Sequence, residues 1–356
     1  MEWLKIEHFK SIENIEMKCK RINVFIGKPN VGKSNILEAL SLYNAPYDRS
    51  NTFMSDVIRY EKISNLFYDQ NRKNLPLIKS NIGFVGLRYH MDAINAYSVV
   101  GGNTLTLFFE ILNFVDNSTS YNLNDIIKKF GELSSKYEYA FYGYVNSNNH
   151  VEIKDVKEVP IIVKRYQYAS LKSHKNPFTS YLNPPFGDNL YSILESHSDI
   201  YEESQSFFKE YGLDLLMDTE YEKIEIQKKI GSRVYKIPYS LVADTLQRII
   251  FHLAAIDTNE NSVLLFEEPE NHSYPEYISL LADKIISNKA NQFFITTHSP
   301  YLLKPFIEKC GRDEVGIFIT TYENYQTKVR ELTEEEINNI METGIDIFYN
   351  ISAFQK

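Results

Sequence analysis

Two glycines, two ammonium groups and a hydroxyl fall within the eight residues Gly27-Lys-Pro-Asn-Val-Gly-Lys-Ser34. The pattern is G-x-x-x-x-G-K-S, and its chemistry is the holding of phosphate. The glycines let the backbone N–H groups of Gly27, Lys28, Pro29's neighbours, Asn30, Val31 and Gly32 curl around an anion, and the N-terminus of a following helix adds partial positive charge there. Lys33 brings a full positive charge to the outer phosphates, and the Ser34 hydroxyl can ligate Mg²⁺, with Asn35 next in the helix. The competing account is a glycine turn that merely precedes a helix.

Two later stretches carry chemistry of a matching kind. Ser262-Val-Leu-Leu-Phe-Glu-Glu-Pro-Glu270 places carboxylates at the end of an apolar run. In open α/β sheets ligand-handling groups sit at strand C-terminal ends. Glu267 is assigned to the metal and Glu268 to polarising an attacking water. A strand running into a solvated acidic loop is the alternative. Gln292-Phe-Phe-Ile-Thr-Thr-His-Ser-Pro300 ends a further apolar run at His298, whose imidazole can hydrogen-bond a γ-phosphate. A histidine with a purely structural role is the alternative there.

These groups need elements to hold them. Asn23–Ile26 is an apolar run that predicts a buried strand, and Ile36, Leu37, Leu40 and Leu42-Tyr43 have the spacing of one helix face beginning at Lys33, stopped at Ala45-Pro46. Upstream, Trp3–Glu7 alternates like a strand, and Phe9, Ile12 and Ile15 lead into another. Downstream, Leu246, Ile249, Ile250 and Leu253 predict a helix over Ala243–Ile256 capped by Ser240, and Glu276–Ser287 predicts the helix between the two chemical strands. The intervening section, from Tyr47 to about Tyr235, is rich in Asn, Ser and Tyr. Strands are expected over Leu77–Arg88, Thr104–Glu110 and Pro160–Val163. Helices are expected over Leu123–Lys136 and Ser192–Tyr211. Hairpins are expected turning at Asn146–Asn149 and at Gly231-Ser232. Glu331–Glu342 predicts a charged terminal helix.

Composition bounds the class. The 356 residues carry 43% hydrophobic side chains, enough for a sizeable core, and 26 Tyr with 22 Phe favour half-buried strands. A net charge of −9 argues against a surface coated for nucleic acid, though not against a local basic groove. Only Cys19 and Cys310 are present, with no metal-ligand spacing, so a reduced cytoplasmic setting is expected. No run of 18 apolar residues exists to span a membrane, and the N-terminus lacks a signal-peptide core.

The P-loop segment, Leu-Leu-Phe-Glu-Glu-Pro-Glu-Asn-His and Thr-Thr-His-Ser-Pro-Tyr-Leu-Leu, taken in order, resemble the ABC-type ATPases of the RecF/SMC class, and within it the OLD-like AAA ATPases. The opening Leu-Lys-Ile-Glu-His-Phe-Lys-Ser-Ile resembles the same branch. The resemblance implies an α/β P-loop NTPase, an ABC-type head with a mixed sheet. The nucleotide-binding core would be residues 1–46 plus 235–330, a large α+β insertion 47–234, and a helical tail 331–356. It implies ATP and Mg²⁺ bound between two heads of a homodimer or larger homo-oligomer, closed by a signature loop whose counterpart is Ala243, Asp244 and Thr245. The family's Ser-Asp-Gly is altered there: the serine hydroxyl and the glycine are missing, which bears on hydrolysis more than on binding. Asn271-His272 match the inter-subunit loop, and Gln70 and Gln167 are the candidates for a Q-loop. After His298 there is no Asp-x-Asp pair and too little chain for a TOPRIM nuclease, so the expectation is a head that controls a separate effector, a nuclease or toxin, in phage defence.

Three other functions compete. A DNA-engaging ATPase of a repair type is suggested by Lys164, Arg165, Lys172, His174 and Lys175 interleaved with Tyr166, Tyr168 and Phe178; a solvated charged face is the plainer account of that stretch. A non-hydrolysing nucleotide-dependent scaffold is suggested by the altered signature loop. A small-molecule kinase also uses a P-loop, but the two later motifs fit it poorly.

Overall fold

The N-terminal alternation folds as β1 (Trp3–Phe9) and β2 (Ile12–Lys18), an antiparallel hairpin whose inward residues Leu4, Ile6, Phe9 and Ile12 are fully buried. The structure is a computed structural model that describes residues 1–90, 97–106, 109–110, 128, 130–132, 135–145, 151–157, 162–171 and 179–354. β3 (Ile22–Ile26) is buried at every position, the pattern of a strand covered on both faces. After the P-loop, α1 (Lys33–Ser41) buries Ile36, Leu37 and Leu40 and passes into a 3₁₀ turn, Leu42–Tyr47, that contains Pro46.

Leu77–Arg88 is two strands rather than one: β4 (Leu77–Ser80) and β5 (Gly83–Tyr89) form a hairpin, with Gly83 at φ +135°. β6 (Tyr97–Gly102) follows. The expected strand at Thr104–Glu110 is not one: Leu105, Thr106, Phe109 and Glu110 are helical, so tertiary context overrides a weak β pattern. Within Leu123–Lys136, Lys128, Phe130, Gly131 and Glu132 are helical, and most of that span lies outside the described residues. β7 (Ala140–Val145) and β8 (Val151–Lys157) pair antiparallel as expected, their turn lying outside the described residues.

Of the strand expected at Pro160–Val163, Pro160 and Ile161 lie outside the described residues, and Val163 opens β9 (Val163–Tyr166). The single helix expected over Ser192–Tyr211 is broken at His197 into α2 (Leu190–Ser196) and α3 (Ser198–Lys209). β10 (Asp214–Asp218), β11 (Lys223–Ile230) and β12 (Arg233–Pro238) form a three-stranded antiparallel sheet. α4 (Asp244–Asp257) starts after Ala243, whose side chain caps nothing; Ser240 lies in a separate 3₁₀ turn, Tyr239–Leu241, and is not the cap. Then come β13 (Val263–Glu267), α5 (Pro275–Ser287), β14 (Gln292–Thr296) and α6 (Pro300–Lys309). β13 and β14 pair in parallel, joined by the crossover helix that such pairing needs. β15 (Val315–Glu323) and β16 (Gln326–Glu331) form an antiparallel hairpin for which the sequence offered no expectation. The last helix, α7 (Glu334–Thr343), begins three residues later than expected because Glu331 ends β16 and Thr333 with Glu336 makes a capping box.

The chain divides into two compact units. The first comprises residues 1–163, 316–332 and 350–356; the second, residues 164–315 and 333–349. The first holds the antiparallel sheet β2-β1-β4-β5-β6-β7-β8 and the neighbouring strands β16-β15-β3. The second holds β14-β13-β9 and β10-β11-β12. With parallel and antiparallel strand pairs and helices between them, the fold is α/β.

Candidate functional site

In the first unit, β3 delivers the chain directly into the loop. Lys28, Pro29 and Asn30 are exposed at its tip, and Asn30 sits in the left-handed region at φ +63°. Lys33 is buried, and its Nζ donates to the carbonyls of Gly27 at 3.1 Å and Lys28 at 3.0 Å. The ammonium is therefore held against the loop it serves. Gly32, at φ +95°, must be glycine twice over: the angle is hostile to L side chains, and an added Cβ would lie 2.1 Å from Thr327 Oγ1.

Thr327 belongs to a short relay behind the loop. Asn35 Nδ2 donates to Ser11 Oγ at 2.7 Å, Ser11 Oγ meets Thr327 Oγ1 at 2.6 Å, and Thr327 Oγ1 donates to Val31 O at 2.9 Å. A hydroxyl has one proton, and that of Thr327 goes to Val31, so Ser11 must be the donor to Thr327. The backbone repeats the link, Thr327 N–H donating to Ser11 O at 2.8 Å. Neither Ser11 nor Thr327 was singled out from the sequence: they lie 316 residues apart, and although Ser11 falls in the opening stretch that carries the resemblance, nothing there pairs it with Thr327. α1 is anchored further by Glu38, fully buried and paired with Lys10 and, at 3.0 Å, with Arg59.

In the second unit, Glu267 ends β13 and pairs with the guanidinium of Arg165, a side chain only 2% exposed. Glu268 is bent into the left-handed region at φ +43°, a strained conformation of the kind that collects at functional sites. Its N–H donates to Thr296 O at 2.9 Å, tying the end of β13 to the end of β14. Its Oε1 then stands 3.5 Å from His298 Nε2, and its Oε2 accepts from Asn271 Nδ2 at 2.8 Å. The structure thus brings together Glu267, Glu268 and His298 at two adjacent strand ends. Glu270 closes the arrangement: its Oε1 accepts from Thr297 Oγ1 at 2.6 Å and from the His298 N–H at 2.8 Å. Its Oε2 is buried without a hydrogen-bond partner, and burial pushes the carboxyl above the usual carboxylate range.

Ala243, Asp244 and Thr245 open α4 in the same unit. Asp244 pairs with Arg248 at 2.6 Å, and Thr245 Oγ1 donates to His272 O at 2.7 Å, so this segment touches the Asn271-His272 turn. The basic-aromatic stretch turns inward where it is described. Lys164 is 5% exposed, donates to Asn259 Oδ1 at 2.6 Å and lies 3.6 Å from the Tyr181 ring centroid; burial pushes its amine down to about 8. With Arg165 also buried, neither can reach a phosphate backbone, and Lys172, His174, Lys175 and Phe178 lie outside the described residues. Gln70 is exposed. No helix among the described residues is long and apolar enough to cross a membrane.

Residues 22–304, from β3 into α6, match the family described as "AAA domain, putative AbiEii toxin, Type IV TA system". The DNA replication and repair protein RecF of Clostridium tetani is 27% identical over 252 residues, 65% of this chain and 67% of that protein. RecF of Latilactobacillus sakei is 30% identical over 148 residues, which is 40% of each chain, so the match spans two fifths of that relative's length. An "ATP/GTP phosphatase" of Helicobacter pylori is 23% identical over 328 residues, 83% of this chain and 84% of that one. Among solved structures, an Smc head bound to the C-winged helix domain of ScpA aligns with a TM-score of 0.49 at 13% identity, over 95% of this chain and 99% of that one. The SMC head domain from Thermotoga maritima aligns at 0.41 and 12% identity, over 93% and 98%. With most of its length inside the matched span and the P-loop within it, the chain belongs to this AAA domain family of P-loop NTPases.

Proposed function

We propose that this chain binds ATP with Mg²⁺ in the cytoplasm, hydrolyses it slowly, and uses the nucleotide state to switch a homodimer or larger homo-oligomer that controls a separate effector. The observation that carries the nucleotide reading is the P-loop itself, with Lys33 held on the Gly27 and Lys28 carbonyls at the start of α1. The loop N–H groups and the helix N-terminus would take the phosphates, and Lys33 their charge. Glu268 would accept the proton of the attacking water, its carboxylate aimed by the bent backbone and the Asn271 amide. His298 would donate to the γ-phosphate.

Mg²⁺ takes hard oxygen ligands, characteristically only one or two of them from the protein beside phosphate and water. Ser34 and Glu267 would be those oxygens. When bound, the ion would neutralise charge on the phosphate oxygens.

Slow turnover is supported by Ala243 and Thr245, which lack the serine hydroxyl and the bare glycine backbone that close a fast site. The H. pylori relative's name, ATP/GTP phosphatase, supports hydrolysis, and the family's description, with its toxin and type IV TA system, supports an effector of the nuclease or toxin kind in phage defence. The test is ATP binding and turnover by wild type, Lys33→Ala and Glu268→Gln, with mass by light scattering. Lys33→Ala should lose binding. Glu268→Gln should keep binding, lose turnover and accumulate the paired form in ATP. Wild type that binds no ATP overturns the proposal.

A further inference from the structure

In the second unit β9 lies beside β13 and sends two neighbouring cations to opposite faces, as successive strand residues must go. Lys164 is received by neutral groups, the Asn259 amide oxygen at 2.6 Å and the Tyr181 ring, whose centroid is 3.6 Å away. Arg165 is received by an acid: its Nη2 donates to Glu267 Oε2.

The two ends of that pair differ in access. The Arg165 side chain is 2% exposed and that of Glu267 19%, so the guanidinium meets the carboxylate from within the fold and solvent meets it from outside. A guanidinium stays charged at any pH a folded protein experiences. Glu267 thus stands at the end of β13, next to the Glu268–His298 pair, with one oxygen held and its charge matched. A buried arginine in need of a counter-ion would account for the contact. It does not account for the placement, in which the acid is the last residue of its strand, partly open to solvent, and followed by the bent Glu268.

We propose that Arg165 is a positioning residue that fixes how Glu267 serves a divalent cation: through one oxygen, and only together with the phosphates of a nucleotide. The inference rests on the reading of Glu267 as a metal ligand. Its first part is geometric. With Oε2 held by Arg165, Glu267 can offer a cation at most one oxygen. Mg²⁺ is suited by single carboxylate oxygens in an octahedron completed by water and phosphate, whereas Ca²⁺ takes about six to eight oxygens and accepts carboxylates in bidentate fashion. Arg165 therefore favours the smaller ion. The second part is electrostatic. A dication approaching Glu267 meets a pair of zero net charge with a fixed cation behind it, so the carboxylate by itself attracts it weakly. The negative charge that holds the ion comes from phosphate, and metal and nucleotide bind as one.

The test is Mn²⁺, followed by EPR as a substitute for Mg²⁺, titrated into this chain without nucleotide. Beside it, the affinity of a fluorescent ATP analogue is measured in Mg²⁺, in Ca²⁺ and in EDTA. The background is the double variant Arg165→Met with Glu267→Leu. Wild type without nucleotide should take up no more Mn²⁺ than that background, and should bind the analogue more tightly in Mg²⁺ than in Ca²⁺. Arg165→Met should bind Mn²⁺ without nucleotide about ten- to a hundredfold more tightly than wild type, the range over which partners of a metal ligand act. Its preference for Mg²⁺ over Ca²⁺ should shrink severalfold. Arg165→Gln keeps a donor for Oε2 and lacks the charge, so it should gain the Mn²⁺ uptake and keep the Mg²⁺ preference; it also carries the test should the Met variant fold poorly. Wild type that binds Mn²⁺ without nucleotide as tightly as Arg165→Met overturns the proposal and leaves the nucleotide reading standing. Variants that lose stability while their Mn²⁺ uptake and ion preference stay those of wild type overturn it in the same way. Wild type that binds the analogue equally in Mg²⁺ and in EDTA overturns the reading of Glu267 as a metal ligand, and this proposal with it.

Discussion

Glu270 accepts the backbone N–H of His298 at 2.8 Å, and the same oxygen accepts the Thr297 hydroxyl at 2.6 Å. A buried carboxylate thus sets where the loop after β14 begins, and with it the imidazole that faces Glu268. Glu270→Gln keeps the Oε1 acceptor and copies the uncharged form that burial favours, so ATP turnover should stay within about threefold of wild type. Glu270→Ala frees both donors and should lower turnover on the order of tenfold or more, with nucleotide affinity nearly unchanged. Steady-state turnover beside a nucleotide-binding titration checks the split.

Behind the P-loop, Thr327→Val keeps the shape of the side chain and removes the proton that Val31 O receives. Both Val31 O and the Ser11 hydroxyl lose a buried partner, a cost of about 1–3 kcal/mol. Nucleotide affinity should fall with it, and Thr327→Ser should restore both. Urea unfolding and titration with a fluorescent ATP analogue measure the two effects. Gly32→Ala should be the more severe change, because strain at φ +95° adds to the clash with Thr327.

The Arg165–Glu267 pair predicts a different pattern. Its side chains are 2% and 19% exposed, so removing one charge strands the other in a poorly solvated place. Arg165→Met should destabilise the fold by about 3 kcal/mol, and adding Glu267→Leu should recover much of that loss. Denaturant midpoints for the two single variants and the double variant decide it. Additive effects would mean that the pair is not coupled.

His252 supplies the pH dependence. It is buried on α4, its Nδ1–H donates to Arg248 O at 2.8 Å, and its ring packs edge-on to Phe266 at 5.3 Å. Burial pushes its pKa down from 6.5 to about 4. The unfolded chain therefore takes up this proton first. Stability is full above pH 6.5 and is lost as pH falls from there towards 4, by roughly 3 kcal/mol at most. His252→Asn keeps a donor and cannot charge, so its melting temperature should vary less across that window than that of wild type.

How much of this was written locally can be judged element by element. The buried run of β3, the P-loop after it, and the strand ends at Glu267 and Thr296 were readable because apolar runs and their punctuation are short-range features. The helix α4 was readable from its spacing, but its cap was not: Ser240 precedes a separate 3₁₀ turn. The Thr104–Glu110 segment misled because a few alternating residues carry too little preference to resist their surroundings. Lys164 and Arg165 read as a surface because charge is usually solvated, and they are buried because Asn259, Tyr181 and Glu267 receive them.

The sequence by itself determined which chemical groups this protein owns and on which strand ends and helix starts they stand, since strand, loop and helix signals all lie within a dozen residues of each motif. Only the tertiary structure decided their company: Thr327 behind Gly32, Arg165 against Glu267, and Glu270 beneath His298. Partners of that kind are chosen by packing between segments tens to hundreds of residues apart, and no local pattern records which side chain a buried polar group will find.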